Sequence, residues 1–354
     1  MIDFRYHLVS IVAVFLALAI GIVLGSTELQ GPAISFLNST TGKLENELGQ
    51  ANSQRDAAQQ QASLGEQYAQ AVEPVVLNGL LAGQRLLIVT EPGASAAALT
   101  GITAAAADAG ATVTGQIALQ NKFFDTSATT LDSLNQVNLD MAARTGIALA
   151  AGATYQQQAV QVIANQILAR STGSQASPPA TVQQPSSGPE SYAQPVLAAY
   201  ANLGFLTISG QPYTQATLAV IVTPQTAPSD GSADPLAQLL VPVAEQLAND
   251  SSATVVAGTS AGSGPGSPIA VVRSNNVSNQ VSTVDDADLV AGQTVVMQAL
   301  AVQLNGGKTG SYGFAANGAS AVAPSPAPTP SASASASASP SATPSAGTTK
   351  KASR

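Results

Sequence analysis

Residues 85–119, RLLIVTEPGASAAALTGITAAAADAGATVTGQIAL, decide the fold. Arg85–Thr90 is a short apolar run bounded by Gly83 and by Pro92-Gly93. A run of that length with no polar alternation is the pattern of a strand buried on both faces, as in a parallel sheet. Ala94–Ala109 is alanine-rich and stops at Gly110, which predicts a helix with a glycine terminus. Ala111–Leu119 then reads as a second strand. Strand, helix, strand requires a crossover, so the two strands are expected to pair in parallel.

The alternation continues toward the C-terminus. Helices are expected over Leu131–Val137, Tyr155–Arg170, Tyr192–Leu203, Pro235–Ala248 and Gln293–Leu304. In Pro235–Ala248 the residues Leu236, Leu239, Leu240, Val243 and Leu247 recur at helical spacing. Strands are expected at Phe205–Ser209, Thr217–Thr223, Thr254–Ala257 and Ile269–Val272. Short apolar strands alternating with helices predict an α/β domain, doubly wound, mostly parallel and Rossmann-like, over residues 83–315. Ser171–Glu190, STGSQASPPATVQQPSSGPE, has no apolar periodicity and reads as a flexible insertion into that domain. Residues 316–354 contain SPAPTPSASASASASPSATPSAG. They are expected to form a disordered Ser/Ala/Pro tail, because such a composition cannot build a core.

On the N-terminal side of the domain the chain changes character twice. Residues 33–76 read as a polar stalk helix. One row of side chains recurs every seven residues at Leu37, Leu44, Ala51, Ala58, Gly65 and Val72. A second row runs through Thr41, Leu48, Arg55, Ala62, Ala69 and Val76. Two readings stand open: a coiled coil that joins copies of the chain into a homo-oligomer, or a solvated single helix. Glu73-Pro74 is expected to break the helix, since a residue preceding proline is pushed out of helical conformation.

Before the stalk, residues 1–27 hold LVSIVAVFLALAIGIVLG at Leu8–Gly25, eighteen residues with only Ser10 polar. At 1.5 Å per residue the run reaches about 27 Å, close to the thickness of a bilayer's hydrocarbon core. Leu8, Phe15, Leu16, Gly21 and Gly25 are accordingly expected in contact with the membrane. A cleaved secretory signal is the alternative, with Val23-Leu24-Gly25 as its cleavage motif, but the length and flanks favour a retained anchor. Arg5 favours a cytoplasmic N-terminus and an exported main domain. Gly21 and Gly25 form a GxxxG pattern, which brings membrane helices together in some proteins.

Composition excludes several functions. The 354 residues carry 12 basic and 20 acidic side chains, a formal net charge of -8, which argues against nucleic-acid binding. There is no cysteine, so disulfides, iron–sulfur clusters and thiol catalysis are ruled out. The one histidine, His7, sits beside the apolar run, so no His-dependent triad or multi-His site can form in the soluble part. Met141 and Met297 read as core filler rather than copper ligands.

Two places remain as candidate sites. Thr90-Glu91-Pro92-Gly93-Ala94-Ser95 lies at the end of the first strand, where doubly wound sheets bind ligands. It lacks the glycine patterns of phosphate loops, so it reads first as a turn with Ser95 near the helix cap. Asp285, Asp286 and Asp288 form the densest acidic cluster, and oxygen ligands suit a hard cation. The competing reading, which we favour, is a solvated turn whose Ser/Asp side chains cap the following helix. No acid, base and nucleophile pair in a recognisable spacing, so a non-enzymatic protein with no evident cofactor is expected.

Two blocks of sequence resemble one family. FRYHLVSIVAVFLALAIGIVLGS (Phe4–Ser26) looks like the opening of the actinobacterial copper-transport outer-membrane proteins of the MctB type. VSTVDDADLVAGQTVVMQALAVQLNGGKTGSYG (Val281–Gly313) is similar to that family's C-terminal block. The resemblance implies an outer-membrane-associated protein of copper efflux or tolerance, with copper as the implied metal. It transfers no metal ligand, because no copper-binding motif is present to map. The expectation is therefore a single-pass envelope protein whose exported α/β domain binds a partner or ligand. The alternative is an envelope scaffold or cell-wall assembly factor acting through the same stalk and domain.

Overall fold

The computed structural model describes residues 4–169, 190–228, 235–314 and 319–324. The expected insertion at 171–190 lies outside the described residues except for Glu190, and so does the tail from 325 onward. The chain divides into two compact units, Met1–Val72 and Glu73–Arg354.

The first unit is helical from Phe4 onward. Helix α1 spans Phe4–Leu77, 74 residues without a break, so the apolar segment and the stalk are one element. The break expected at Glu73-Pro74 does not occur. Pro74 lies one turn from the end of α1, so it removes a single backbone bond rather than splitting a long helix. Beyond it, Leu77 and Leu81 are fully buried in the core of the second unit, which holds that last turn in place.

The second unit is α/β. Its elements are β1 (Arg85–Thr90), α2 (Ala96–Asp108), β2 (Thr112–Leu119), α3 (Ala128–Thr145), α4 (Tyr155–Ile167), α5 (Glu190–Asn202) and β3 (Leu206–Gly210). They continue with β4 (Leu218–Val222), α6 (Pro235–Asp250), β5 (Ala253–Ala257), α7 (Pro268–Ser274), β6 (Ser282–Val284), α8 (Val290–Leu304) and β7 (Ser311–Tyr312). The strands form one sheet in the order β3-β2-β1-β4-β5-β6-β7. All neighbours pair in parallel except β2 and β3, where Ile117 faces Ile208 in an antiparallel register. The sheet is therefore mixed. Three helices, rather than one crossover, separate β2 from β3, and the chain re-enters the sheet from the opposite end.

Alternate residues of each strand feed two separate cores. Leu87 and Val89 of β1, Ile221 of β4 and Val256 of β5 point to one side, against α3 through α7 and the buried rings of Phe123, Tyr200 and Phe205. Leu86, Ile88, Val220 and Val255 point to the other, against α2 and α8. Helices cover both faces, which explains why the central strands read as continuous apolar runs. Alanine suits α2 because it lies close to α8. A Cβ on Gly101 would meet the end of the Gln293 side chain at 2.0 Å, so a side chain here requires Gln293 to move aside. Met141 and Met297 are both buried in these cores.

Three expectations need correction. Ile269–Val272 is not a strand but the middle of α7, started by Ser267, whose hydroxyl accepts from the Ala270 amide at 3.2 Å, and by Pro268 at the first turn. The strand in that part of the chain is β6, inside the stretch read as an acidic turn. Order also extends past Phe314. Residues 319–324 return along β7, where the Gly313 amide donates to Ala321 and the Ser320 amide to Ser311.

Candidate functional site

The strand ends of a sheet wound in two directions converge where β1 and β4 lie side by side, and that crevice is the usual ligand position. Here backbone hydrogen bonds close it. The Glu91 amide donates to Val222 O at 3.0 Å, and the Gln225 amide to Gly93 O at 2.9 Å. Ala94 bridges Pro224. The neighbouring loop is tied in the same way, with Ala227 N on Ala261 O and the Thr259 hydroxyl on Gln225 O at 2.7 Å. Ser95 caps α2 by accepting from the Ala98 amide at 3.2 Å, as a turn-and-cap reading of this loop predicts. Glu91 itself is 4% exposed.

Open space lies to the other side of β1. A cleft of about 430 Å³ between the ends of β1 and β2 and the start of α2 is lined by Thr90, Glu91, Ser95, Gln116, Gln120 and Asn121, among others. It adjoins a second groove of about 510 Å³ bearing Thr100, Thr103, Thr114 and Ser209. Leu99 and Gln116 line both. Gln116 donates to the Thr90 hydroxyl at 3.4 Å and Gln120 to the Thr207 hydroxyl at 3.4 Å. Hydroxyls and amides with a single carboxylate offer hydrogen bonds to an uncharged polar surface.

The three aspartates separate into three environments. Asp285 is fully buried and paired with Arg273, whose Nη1 donates to Oδ2 at 2.9 Å. The same guanidinium donates from Nε to the Thr283 hydroxyl at 2.8 Å and from Nη2 to Tyr312 O at 2.9 Å. Arg273 thus ties α7 to β6 and β7, and it already fills the position a cation would take beside Asp285. Asp286 is also fully buried, and its carboxyl oxygens make no hydrogen bond of good geometry. Burial pushes its pKa up to about 6, helped by the charges of Asp285 and Asp288 and partly offset by the amides of Asp286 and Phe314. Asp288 faces solvent.

The solvated, helix-capping turn expected here is therefore overturned. Residue Leu289, with no side-chain cap, precedes α8, and two of the three acids are inside the protein. Among the described residues no group of three or more His, Cys, Asp or Glu side chains is placed to hold a metal ion. Arg273 is the residue that sequence reading passed over. Its signal was an arginine directly after the apolar run Ile269–Val272, a place where a charge needs a partner.

In the first unit, the membrane-crossing candidate is Phe4–Gly25, 22 residues of mean hydropathy 2.9 with none of it buried. Leu8, Phe15 and Leu16 are each more than half exposed, and nothing lies within 4 Å of a Cβ placed on Gly21 or Gly25. Twenty-two helical residues reach about 33 Å, enough to cross a bilayer core.

Comparison with known proteins agrees on one family. The profile of the family described as "Copper transport outer membrane protein, MctB" matches residues 1–324. The "Copper transporter MctB" of Mycobacterium tuberculosis is 30% identical over 318 residues, covering 88% of this chain and 96% of that protein. The Mycobacterium bovis protein of the same name gives the same figures. The Mycobacterium leprae protein is 27% identical over 332 residues, covering 92% of this chain and 100% of its own length.

Proposed function

This chain belongs to the MctB family of copper transport outer membrane proteins, and on that premise we propose that it is a single-pass, non-enzymatic envelope protein of copper efflux or tolerance. The carrying observation is α1. Its apolar part is uniformly exposed over Phe4–Gly25 and continues as helix into a polar stalk. In water those side chains would have to be covered, and a bilayer covers them without any partner. The positive charge of Arg5 favours the short N-terminus on the inner side of that membrane and the α/β domain on its outer side.

Copper is cargo in this reading, and the domain does not hold it on soft ligands. Cysteine is absent, His7 falls near the start of the apolar segment Phe4–Gly25, and Met141 and Met297 are consumed in the cores. One helix with no polar face does not conduct ions alone. The domain's contribution is then to bind a partner or ligand, and the polar cleft beside Glu91 is the surface open for it. The exposed stalk supports a second reading, an envelope scaffold acting through protein contacts. Deleting the gene and restoring it separates the two. The copper reading expects raised intracellular copper and lost copper tolerance in the deletion strain, both recovered on complementation. Unchanged copper content and tolerance, with altered envelope integrity instead, would replace it by the scaffold.

A further inference from the structure

We propose that the stalk part of α1, residues 37–72, is one strand of a parallel, in-register coiled-coil dimer of this chain. Leu37, Leu44 and Leu48 are 61%, 53% and 60% exposed, although they stand in the two rows that repeat every seven residues. Those rows alternate spacings of four and three residues over about five heptads, where ~3–4 suffice to mark a coiled coil. Glycine and alanine fill the later seam positions, which lets two helices approach closely there.

The occupant of this seam is a second copy because of what precedes it. Residues 4–25 and the stalk are one continuous helix in one compact unit. Copies anchored through that segment all leave the membrane in the same direction and at the same depth. Their seams therefore meet in parallel and in register. The flanking positions agree, since Glu47 of one copy faces Asn52 of the other and Gln61 faces Glu66, with no like charges opposed. Arg55 is the one charged residue on the seam, and a single such residue favours two strands and fixes the register. Its guanidinium is already paired with Asp56 at 3.0 Å in its own chain.

The GxxxG pair does not serve this dimer. At 100° per residue, Gly21 and Gly25 lie about 140° around the helix from the seam of Leu37, Leu44 and Leu48. The pairing depends on the retained anchor of the functional reading and not on copper. A dimer in a strain whose copper handling ignores the protein would leave the pairing standing and remove only the copper role.

The chain has no cysteine, so single thiols introduced into the full-length protein report contacts without background. In native membranes under mild oxidation, Leu44→Cys and Leu48→Cys should each give a band at twice the 35.2 kDa chain mass. One residue can meet its own counterpart at the midpoint of an antiparallel pair, but Leu44 and Leu48 both do so at close range only in a parallel, in-register pair. Asn46→Cys and Ser53→Cys, on the outer face, should remain monomeric, as should Gly21→Cys and Gly25→Cys. Adding Leu48→Asp to Leu44→Cys should abolish its cross-link. Equal cross-linking on both faces, none at Leu44 and Leu48, cross-linking confined to the glycine pair, or bands of another mass would overturn the proposal.

Discussion

Arg273 and Asp285 form a buried ion pair in which each charge is tolerated only because of the other, the arginine side chain being 7% exposed and the aspartate 0%. Arg273→Ala strands the Asp285 carboxylate, and breaking a buried pair from one side costs about 3–5 kcal/mol. Chemical denaturation of the full chain should show a loss of that order, and a loss below ~1 kcal/mol would mean the pair is not closed as described. Gly313 supports the same pair. A Cβ there would sit 1.8 Å from Asp285 Oδ1, on a backbone with φ +135, so Gly313→Ala should lower the thermal midpoint whatever residue replaces Arg273. Asp286 supplies a pH dependence with a definite sign. Its folded pKa of about 6 lies above the ordinary 3.8, so the folded state binds the proton more tightly than the unfolded chain. Its contribution to stability is fully present below the unfolded pKa and is lost as pH rises through about 6, by an amount of order 3 kcal/mol. Asp286→Asn should flatten the denaturation midpoint between pH 4 and pH 7, and an unchanged slope would contradict this assignment.

At the scale of elements, the central strands were legible because both their faces are buried. RLLIVT and LAVIV carry that burial in their composition, and Gly110, φ +79, marks the stop of α2 as its position predicted. The short strands were not legible. β6 has three residues and β7 two, too few for any period to appear, and both are held by neighbours rather than by their own sequence. α7 misled for the opposite reason: Ile269–Val272 is apolar enough for a strand, but Ser267-Pro268 starts a helix. The direction of β3 depends on the helices that precede it, which local pattern does not encode. Asp285 and Asp286 read as solvated because acids usually are. The burial of Asp285 follows from Arg273, twelve residues upstream and on another element. The packing of α2 on α8 gives a test at this scale. Gly101→Val would drive a side chain into Gln293, which donates to Ala287 O at 3.1 Å, and should destabilise the domain by about 1–3 kcal/mol in thermal unfolding while leaving α1 helical.

The whole chain runs from an exposed apolar helix through a stalk to an α/β domain whose strand-end crevice is closed by its own backbone. The open polar cleft lies instead on the β2 side. The family supplies the link to copper. Everything rests on residues 4–25 staying with the chain. The direct test is the intact mass of the native protein extracted from the envelope, read together with its behaviour in alkaline carbonate. The expected result is a polypeptide that still contains Phe4–Gly25 and remains with the membrane pellet. A mature chain that starts after Gly25 and is released into the supernatant would contradict it.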